Sequence, residues 1–252
     1  MDISAVIITH NEAHNISRCL EAAARVADEL IVVDAESTDG TVAIAGSSGA
    51  RVTVRAWTNY SDQKNFANDL ARGPYILSLD ADEVLGDELT ADILRQKATG
   101  LHGAYRLKRL TNYCGQWVRH GGWYPDAKVR LFPKQGVRWE GDHVHEILAL
   151  PSGTAITDLK GDLLHFSYRS VDDHRDRIDR YSTLHAKALF AKGRGGGPVK
   201  RLLAPLVKFA QGYILQGGFR DGWAGWTIAV MSSRAVRLKY EKLDALRRGK
   251  AI

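Results

Sequence analysis

The sequence predicts an α/β protein built on an open, mostly parallel sheet covered by helices. Three observations predict it. Short β-branched apolar runs alternate with helix-compatible stretches over roughly the first ninety residues. Each run ends in a polar cluster, where open sheets of this class gather ligands beyond the carboxyl ends of their strands. The chain of 252 residues, 44% hydrophobic and 25% charged, is long enough to bury one large core or two modest ones.

Residues 4–9 (SAVIIT) and 30–34 (LIVVD) read as buried strands with a helix over residues 15–26 between them, a βαβ unit. Residues 51–57 (RVTVRAW) alternate as a third strand. Residues 62–71 start a helix with Ser61 or Asp62 as its cap, and residues 75–79 (YILSL) form a fourth buried strand. The polar clusters His10-Asn11-Glu12, residues 35–40 and Asp80-Ala81-Asp82-Glu83 then converge on one crevice. From residue 103 to 164 the texture changes to short strand-like pieces rich in aromatics and glycine. Beyond residue 171 the pattern is helical, and residues 193–198 (GRGGGP) read as a flexible connector. The organisation expected is a first half over 1–100, a second half over 101–170 and a helical, basic, amphipathic extension over 171–252.

Charge is split along the chain. Residues 192–252 carry 13 Lys+Arg against 3 Asp+Glu, a net of +10, whereas residues 1–191 carry 22 against 26, a net of −4. Such a tail reads as a docking surface for an anionic polymer or membrane. Val199, Leu202, Leu203, Leu206, Val207, Ala210, Tyr213 and Ile214 share one helical face, opposite Lys200, Arg201, Lys208 and Gln211, with a bend expected at Pro205. That face either lies on anionic lipid or packs on the main domain. A nucleic-acid role is the weaker reading, because no recognised binding module accompanies the tail. No apolar stretch approaches the roughly 18 residues of a spanning helix, and the first residues lack the pattern of a secretory signal. The expectation is a cytoplasmic protein, peripheral on the cytoplasmic face of the inner membrane. Cys19 and Cys114 have no metal-type spacing and read as reduced thiols.

Two carboxylates separated by one residue at a strand end, Asp80 and Asp82, suit a hard divalent cation whose shell a diphosphate completes; a helix-capping turn is the plainer alternative. The surrounding segments decide between them. VIITHNE (6–12), VVDAESTDGT (32–41) and KNFANDLARGPYILSLDADE (64–83) resemble the inverting glycosyltransferases of family 2, with the Rossmann-like GT-A fold. RLFPKQGVRWEG (130–141), VHE (144–146), LLHFSYRS (163–170) and YILQGGFRDGWAGW (213–226) are similar to the subgroup that assembles lipopolysaccharide core.

The resemblance implies a nucleotide-diphosphate sugar donor, UDP-linked by preference, held by Thr9, Asn11, Glu12, Asp34, Lys64, Asn65, Asp80, Ala81 and Asp82. Where many members have two adjacent aspartates, this chain has Asp34-Ala35. Asp82 would coordinate Mg²⁺ or Mn²⁺ with a histidine, His165 or alternatively His145; His143 is a further histidine nearby. Inversion in one displacement needs one carboxylate as base. Glu146 matches a subgroup glutamate there, with Asp142 and Glu140 as rivals. Trp117, Trp123, Tyr124 and Trp139 suit sugar stacking as well as core packing. Trp123, Asp126 and Arg130 are the expected acceptor contacts. The implied acceptor is a lipid-linked saccharide. The alternatives are a peptide acceptor, or a membrane-bound scaffold that binds donor without turnover. A nucleotidyltransferase is disfavoured because Thr9-His10-Asn11-Glu12 stands where a glycine-rich phosphate loop is required.

Overall fold

The computed structural model describes residues 1–141, 146–193 and 197–252. Strand β1 (Ile3–Thr9) is buried along its whole length, the signature of a central strand covered on both faces. Helix α1 (Ile16–Ala24) buries Ile16, Cys19, Leu20 and Ala23 at i, i+3, i+4, i+7 spacing. There follow β2 (Glu29–Asp34), α2 (Thr41–Ser47) and β3 (Arg51–Val54). The third strand stops short of Trp57 because the chain turns into α3 (Tyr60–Leu70). The cap of α3 is Asn59, whose side-chain oxygen accepts from the Asp62 amide at 2.8 Å, and not Ser61 or Asp62. Strands β4 (Tyr75–Asp80) and β5 (Glu83–Leu85) precede α4 (Asp87–Thr99). Asp87 and Glu88 in the first turn of α4 and Lys97 in its last complement the helix dipole.

The middle of the chain supplies β6 (Ala104–Tyr113), β7 (Gln116–Val118), β8 (Asp126–Pro133), β9 (Arg138–Glu140), β10 (Ile147–Ala149) and β11 (Ile156–Tyr168). Three long helices end it: α5 (Val171–Ala191), α6 (Pro198–Ala210) and α7 (Gly222–Arg247). A π-helical turn, Gln211–Leu215, and a short 3₁₀ turn, Gly218–Asp221, connect the last two.

Among the described residues the main sheet has the order β3-β2-β1-β4-β8-β6-β11-β5, with β7 paired to β6, while β9 and β10 form a separate ribbon. β3, β2, β1 and β4 are parallel, as the early alternation of strand and helix requires. β8 then joins β4 and β6 antiparallel, and β5 joins β11 antiparallel. The fold class is the expected one, with a parallel half and a half in which antiparallel pairing prevails. Helical crossovers are missing between the later strands, and only they sustain parallel pairing.

The pleat divides the core into two layers. Ile3, Ala5, Ile7, Leu77 and Leu79 pack with Ile16, Leu20 and Ala23 of α1 and Leu89 and Ile93 of α4. Val6, Ile8, Ile31, Val33 and Ile76 pack on the other face with Ala67 and Ala71. Thr9 lies opposite Asp34 and Ile8 opposite Asp80, so the register brings the polar strand ends to one rim.

The chain divides into two compact units. One comprises Met1–Arg109 with Asp126–Phe166, the other Leu110–Pro125 with Ser167–Ile252. Residues 110–125 thus belong with the C-terminal helices and not with the segment 101–170. In the second unit Tyr113, Val118, Ala224 and Ile228 form the core, with Trp123 and Tyr168 against it. α7 packs on both α5 and α6. Gly225 lets the start of α7 approach the 3₁₀ turn, since a Cβ there would stand 1.8 Å from the Gly218 carbonyl oxygen. The apolar face of α6 is bare: Val199, Leu202, Leu203, Leu206 and Val207 are 50% to 69% exposed. No helix among the described residues is long and apolar enough to cross a membrane.

Candidate active site

The loops after β1 and β2 are tied to each other before any ligand arrives. Ser37 Oγ accepts from the Asn11 amide at 2.8 Å, and Asn11 Oδ1 from the Thr38 amide at 2.9 Å. Thr41 Oγ1 accepts from the Glu12 amide, and Asp39 from the Ala13 amide. Asp34 is fully buried and caps its own turn, its carboxylate accepting from the Ser37 hydroxyl at 2.5 Å and the Ser37 amide at 2.7 Å. Asn11, Glu12 and Asp34, all expected at the nucleotide, therefore hold the rim in shape. The Thr9 hydroxyl at the end of β1 is buried without a hydrogen-bond partner, an orphan donor that such a rim leaves for something else.

Beside this rim the ends of β4 and β8 and the start of α3 build a charged cluster. Lys64, 2% exposed, donates to Glu146 Oε1 at 3.1 Å and lies 3.4 Å from Asp80 Oδ1, with its ammonium 4.6 Å from the centre of the Trp139 ring. Asn65 bonds the Trp139 backbone in both directions, accepting its amide at 2.9 Å and donating to its carbonyl at 2.8 Å. It thereby pins α3 to β9, which aims Lys64. Ala81 turns its methyl group into the core, leaving Asp80 and Asp82 to the rim.

Arg130 is buried, and its guanidinium donates to Asp80 Oδ2 at 2.6 Å and Glu83 Oε1 at 2.7 Å. Arg109 adds a second cation 3.3 Å from Glu83 and also pairs with Asp126. Burial by itself raises the Asp80 carboxyl, but the Arg130 and Lys64 charges outweigh it and hold Asp80 far below the usual carboxylate range. Burial likewise works against the Arg130 cation, and Asp80 and Glu83 more than compensate, pushing its pKa upward. Asp80 and Arg130 stay charged throughout the physiological range.

Asp82 differs. His165, placed opposite Glu83 by the pairing of β5 with β11, has its Nε2 3.3 Å from Asp82 Oδ2. Among the described residues Asp82 is the carboxylate of this group with no lysine or arginine within 4.0 Å; Asp80, Glu83, Asp126 and Glu146 each have one. A carboxylate and an imidazole left together without a counter-cation suit a hard divalent ion that takes its other ligands from phosphate and water. Among the described residues no three His, Cys, Asp or Glu side chains are gathered around a metal site.

A family model described as Glycosyl transferase family 2 matches residues 4–123. An uncharacterized glycosyltransferase of Rickettsia felis is 52% identical, the match covering 96% of this chain and 89% of that one. The chain belongs to glycosyltransferase family 2. The lipopolysaccharide core biosynthesis glycosyltransferase LpsC of Rhizobium meliloti is 29% identical over 91% of this chain and 87% of its own. Glucosyl-3-phosphoglycerate synthase from Mycobacterium tuberculosis, solved with Mn²⁺, UDP and glucosyl-3-phosphoglycerate, shares the fold with a TM-score of 0.50. It is 16% identical, covering 78% of this chain and 81% of that one. The protein is thus a glycosyltransferase of GT-A architecture.

In this transferase Lys64, Asp80 and Glu146 come together, as do Asp82 and His165. Glu140 is exposed on β9, while Asp142, His143 and His145 lie outside the described residues. The acceptor contacts fare differently. Arg130 cannot reach out to a sugar, because both its partners and its burial fix it beneath the acidic strand end. Asp126 is taken up by Arg109 and Lys128, and with burial opposed by the Arg109 charge its carboxyl is held low. Trp123 belongs to the second unit, where Tyr113, Tyr168 and His174 surround its ring. Sequence reasoning missed the Glu83–Arg109–Arg130 network. The signal available was an arginine inside the otherwise apolar run VRLF of β8, a position that demands a buried counter-charge.

Proposed function

We propose that the enzyme transfers a hexose from a UDP-sugar to a lipid-linked saccharide of the lipopolysaccharide-core kind, with inversion, at the cytoplasmic face of the inner membrane. The observation that carries the reading is Asp82 beside His165, an acid with no lysine or arginine against it among the described residues. A divalent ion, Mg²⁺ or Mn²⁺, bound by Asp82 and His165 would supply positive charge to the departing diphosphate. Thr9 offers its free hydroxyl to the donor, and Asp80, fixed by Arg130, keeps the strand end in place. Glu146, held by Lys64, accepts the proton of the acceptor hydroxyl as that oxygen attacks the anomeric carbon and the bond to the diphosphate breaks.

The structural neighbour, solved with UDP, and LpsC, a glycosyltransferase of lipopolysaccharide core biosynthesis, support a UDP-sugar and a core saccharide respectively. The bare face of α6, together with exposed Ile214, Leu215, Phe219, Trp223 and Trp226 and flanked by Lys200, Arg201, Arg220 and Arg234, supports an interfacial seat on anionic lipid. The test is sugar transfer with Mn²⁺, comparing the wild type with Asp82→Ala. A loss of a hundredfold or more, with the response to added Mn²⁺ abolished, is expected. Full activity in the variant overturns the metal role.

A further inference from the structure

The second unit contains a cleft of about 140 Å³ that the chemistry above does not use. Its wall is Trp123 with Gly121 and Gly122, and its polar groups are His120, Lys208, Gln216 and Ser232. Trp123 is held from behind by Tyr113, Tyr168 and His174, with ring centroids 5.5 to 6.3 Å away, so the indole is a fixed platform. Gly122, at φ +78°, keeps that wall low: a Cβ there would stand 2.6 Å from the Gln216 amide oxygen. Asp221, itself buried, orients His120 by accepting from its backbone amide at 2.7 Å and pairing with Nδ1 at 2.8 Å. Among the described residues the Lys208 ammonium, Gln216 amide and Ser232 hydroxyl make no side-chain hydrogen bond.

A rigid aromatic face with several uncommitted polar groups converging on it is the composition of a ligand site. Drug-sized ligands fill roughly 300–1,000 Å³, so this cleft has room for one ring. The unit around it carries 19 Lys+Arg against 7 Asp+Glu, a net of +12, and its field draws an anion. Lys208 is nine residues, two and a half turns, from Val199, which puts the cleft on the opposite side of α6 from the bare apolar face.

We infer that this cleft binds a sugar ring bearing an acidic substituent, a phosphate or carboxylate, with the ring on Trp123 and the anion at Lys208. The inference goes beyond the proposed function: it gives the second unit a saccharide site of its own.

Calorimetric titration of the full chain with glucose 6-phosphate, methyl glucoside and inorganic phosphate tests it. Glucose 6-phosphate is expected to bind at least tenfold more tightly than either fragment. Lys208→Gln, an exposed change that leaves the core intact, and Ser232→Leu, which fills the cleft, are each expected to weaken it at least fivefold. Equal affinity for inorganic phosphate, or binding that neither variant alters, overturns the proposal. Displacement of the bound sugar phosphate by phosphatidylinositol vesicles but not by phosphatidylglycerol vesicles would assign the site to a lipid-borne ring. Retention against both would assign it to a free one, and either result upholds the site. The shift of the melting temperature by UDP, read on the wild type alone, reports separately on the donor reading.

Discussion

The two units handle charge and apolar surface in opposite ways. The first carries 16 Lys+Arg against 22 Asp+Glu, a net of −6, and buries Lys64, Glu83 and Arg130 in contact with one another or with the half-buried Asp80. The second, at +12, buries few charges and leaves leucines, valines and tryptophans of α6 and α7 in solvent. Burying an ion costs several kcal/mol unless it is paired and hydrogen-bonded. A cluster that is fully satisfied at that expense is fixed before the ligand binds, which electrostatic catalysis requires. Bare apolar area is tolerated where a further surface completes it. One unit pairs its buried charges within itself, and the other leaves much of its apolar area exposed.

The largest effect that sharpens this contrast belongs to Glu146. Glu146→Gln should lower the rate of sugar transfer by about 10²–10⁴-fold while UDP still raises the melting temperature; a rate within threefold of wild type would move the base elsewhere. Next is Arg130→Met. Removing the cation that Asp80 and Glu83 share, while Lys64 still faces Asp80 and Arg109 still faces Glu83, should cost about 3 kcal/mol in urea unfolding, with Arg130→Lys recovering part of it. A cost under 1 kcal/mol would mean that the cluster is not satisfied from within.

The third lies in the second unit. Burial, aided by the charge of Arg177, depresses the pKa of His174 from 6.5 to about 4, and its Nδ1 shares a hydrogen bond of 2.9 Å with the Tyr113 hydroxyl. The native imidazole is neutral, so below pH 6.5 the unfolded chain takes up a proton that the folded one refuses. Stability should be level above that pH, fall by about 3 kcal/mol between pH 6.5 and 4, and level again below. Unfolding measured across that range should show a shallower slope in His174→Gln.

The smallest effect is on α6. Leu202→Ser with Leu206→Ser should change stability by no more than about 0.5 kcal/mol per site, whereas Leu77→Ala in the first core should cost about 2–5 kcal/mol. The same pair should weaken sedimentation with phosphatidylglycerol vesicles. Strong destabilisation by the serines would show that the face is packed after all.

The strand ends were legible because they are local: a buried run followed by polar residues marks its own carboxyl end, and parallel pairing through short crossovers aligns those ends. Asp80 and Asp82 were singled out on that basis, and Lys64 and His165 by the family pattern. What escaped was pairing across long stretches of sequence. Arg130 reads as an acceptor contact when only its sequence neighbours are seen, and becomes a structural cation only once β8 is known to lie beside β4. The cap of α3 escaped for a smaller reason, since Asn59, Ser61 and Asp62 are all good capping residues and the backbone path selects among them. The bare face of α6 was legible as amphipathic, but periodicity alone does not say whether such a face is covered.

The insertion of β8 against β4 also bears on how the chain is made. A nascent chain emerging from the ribosome completes β1 to β4 well before residues 126–133 are available. At about 5–20 residues per second that interval lasts a few seconds. Until β8 docks, β4 presents an unpaired edge, the kind of template on which stray strands assemble, and Asp80 and Glu83 await the guanidinium that arrives with it. Closing that seam brings the missing strand and the missing counter-charge in one event, so the donor rim gains its final electrostatics only when half the protein has been synthesised.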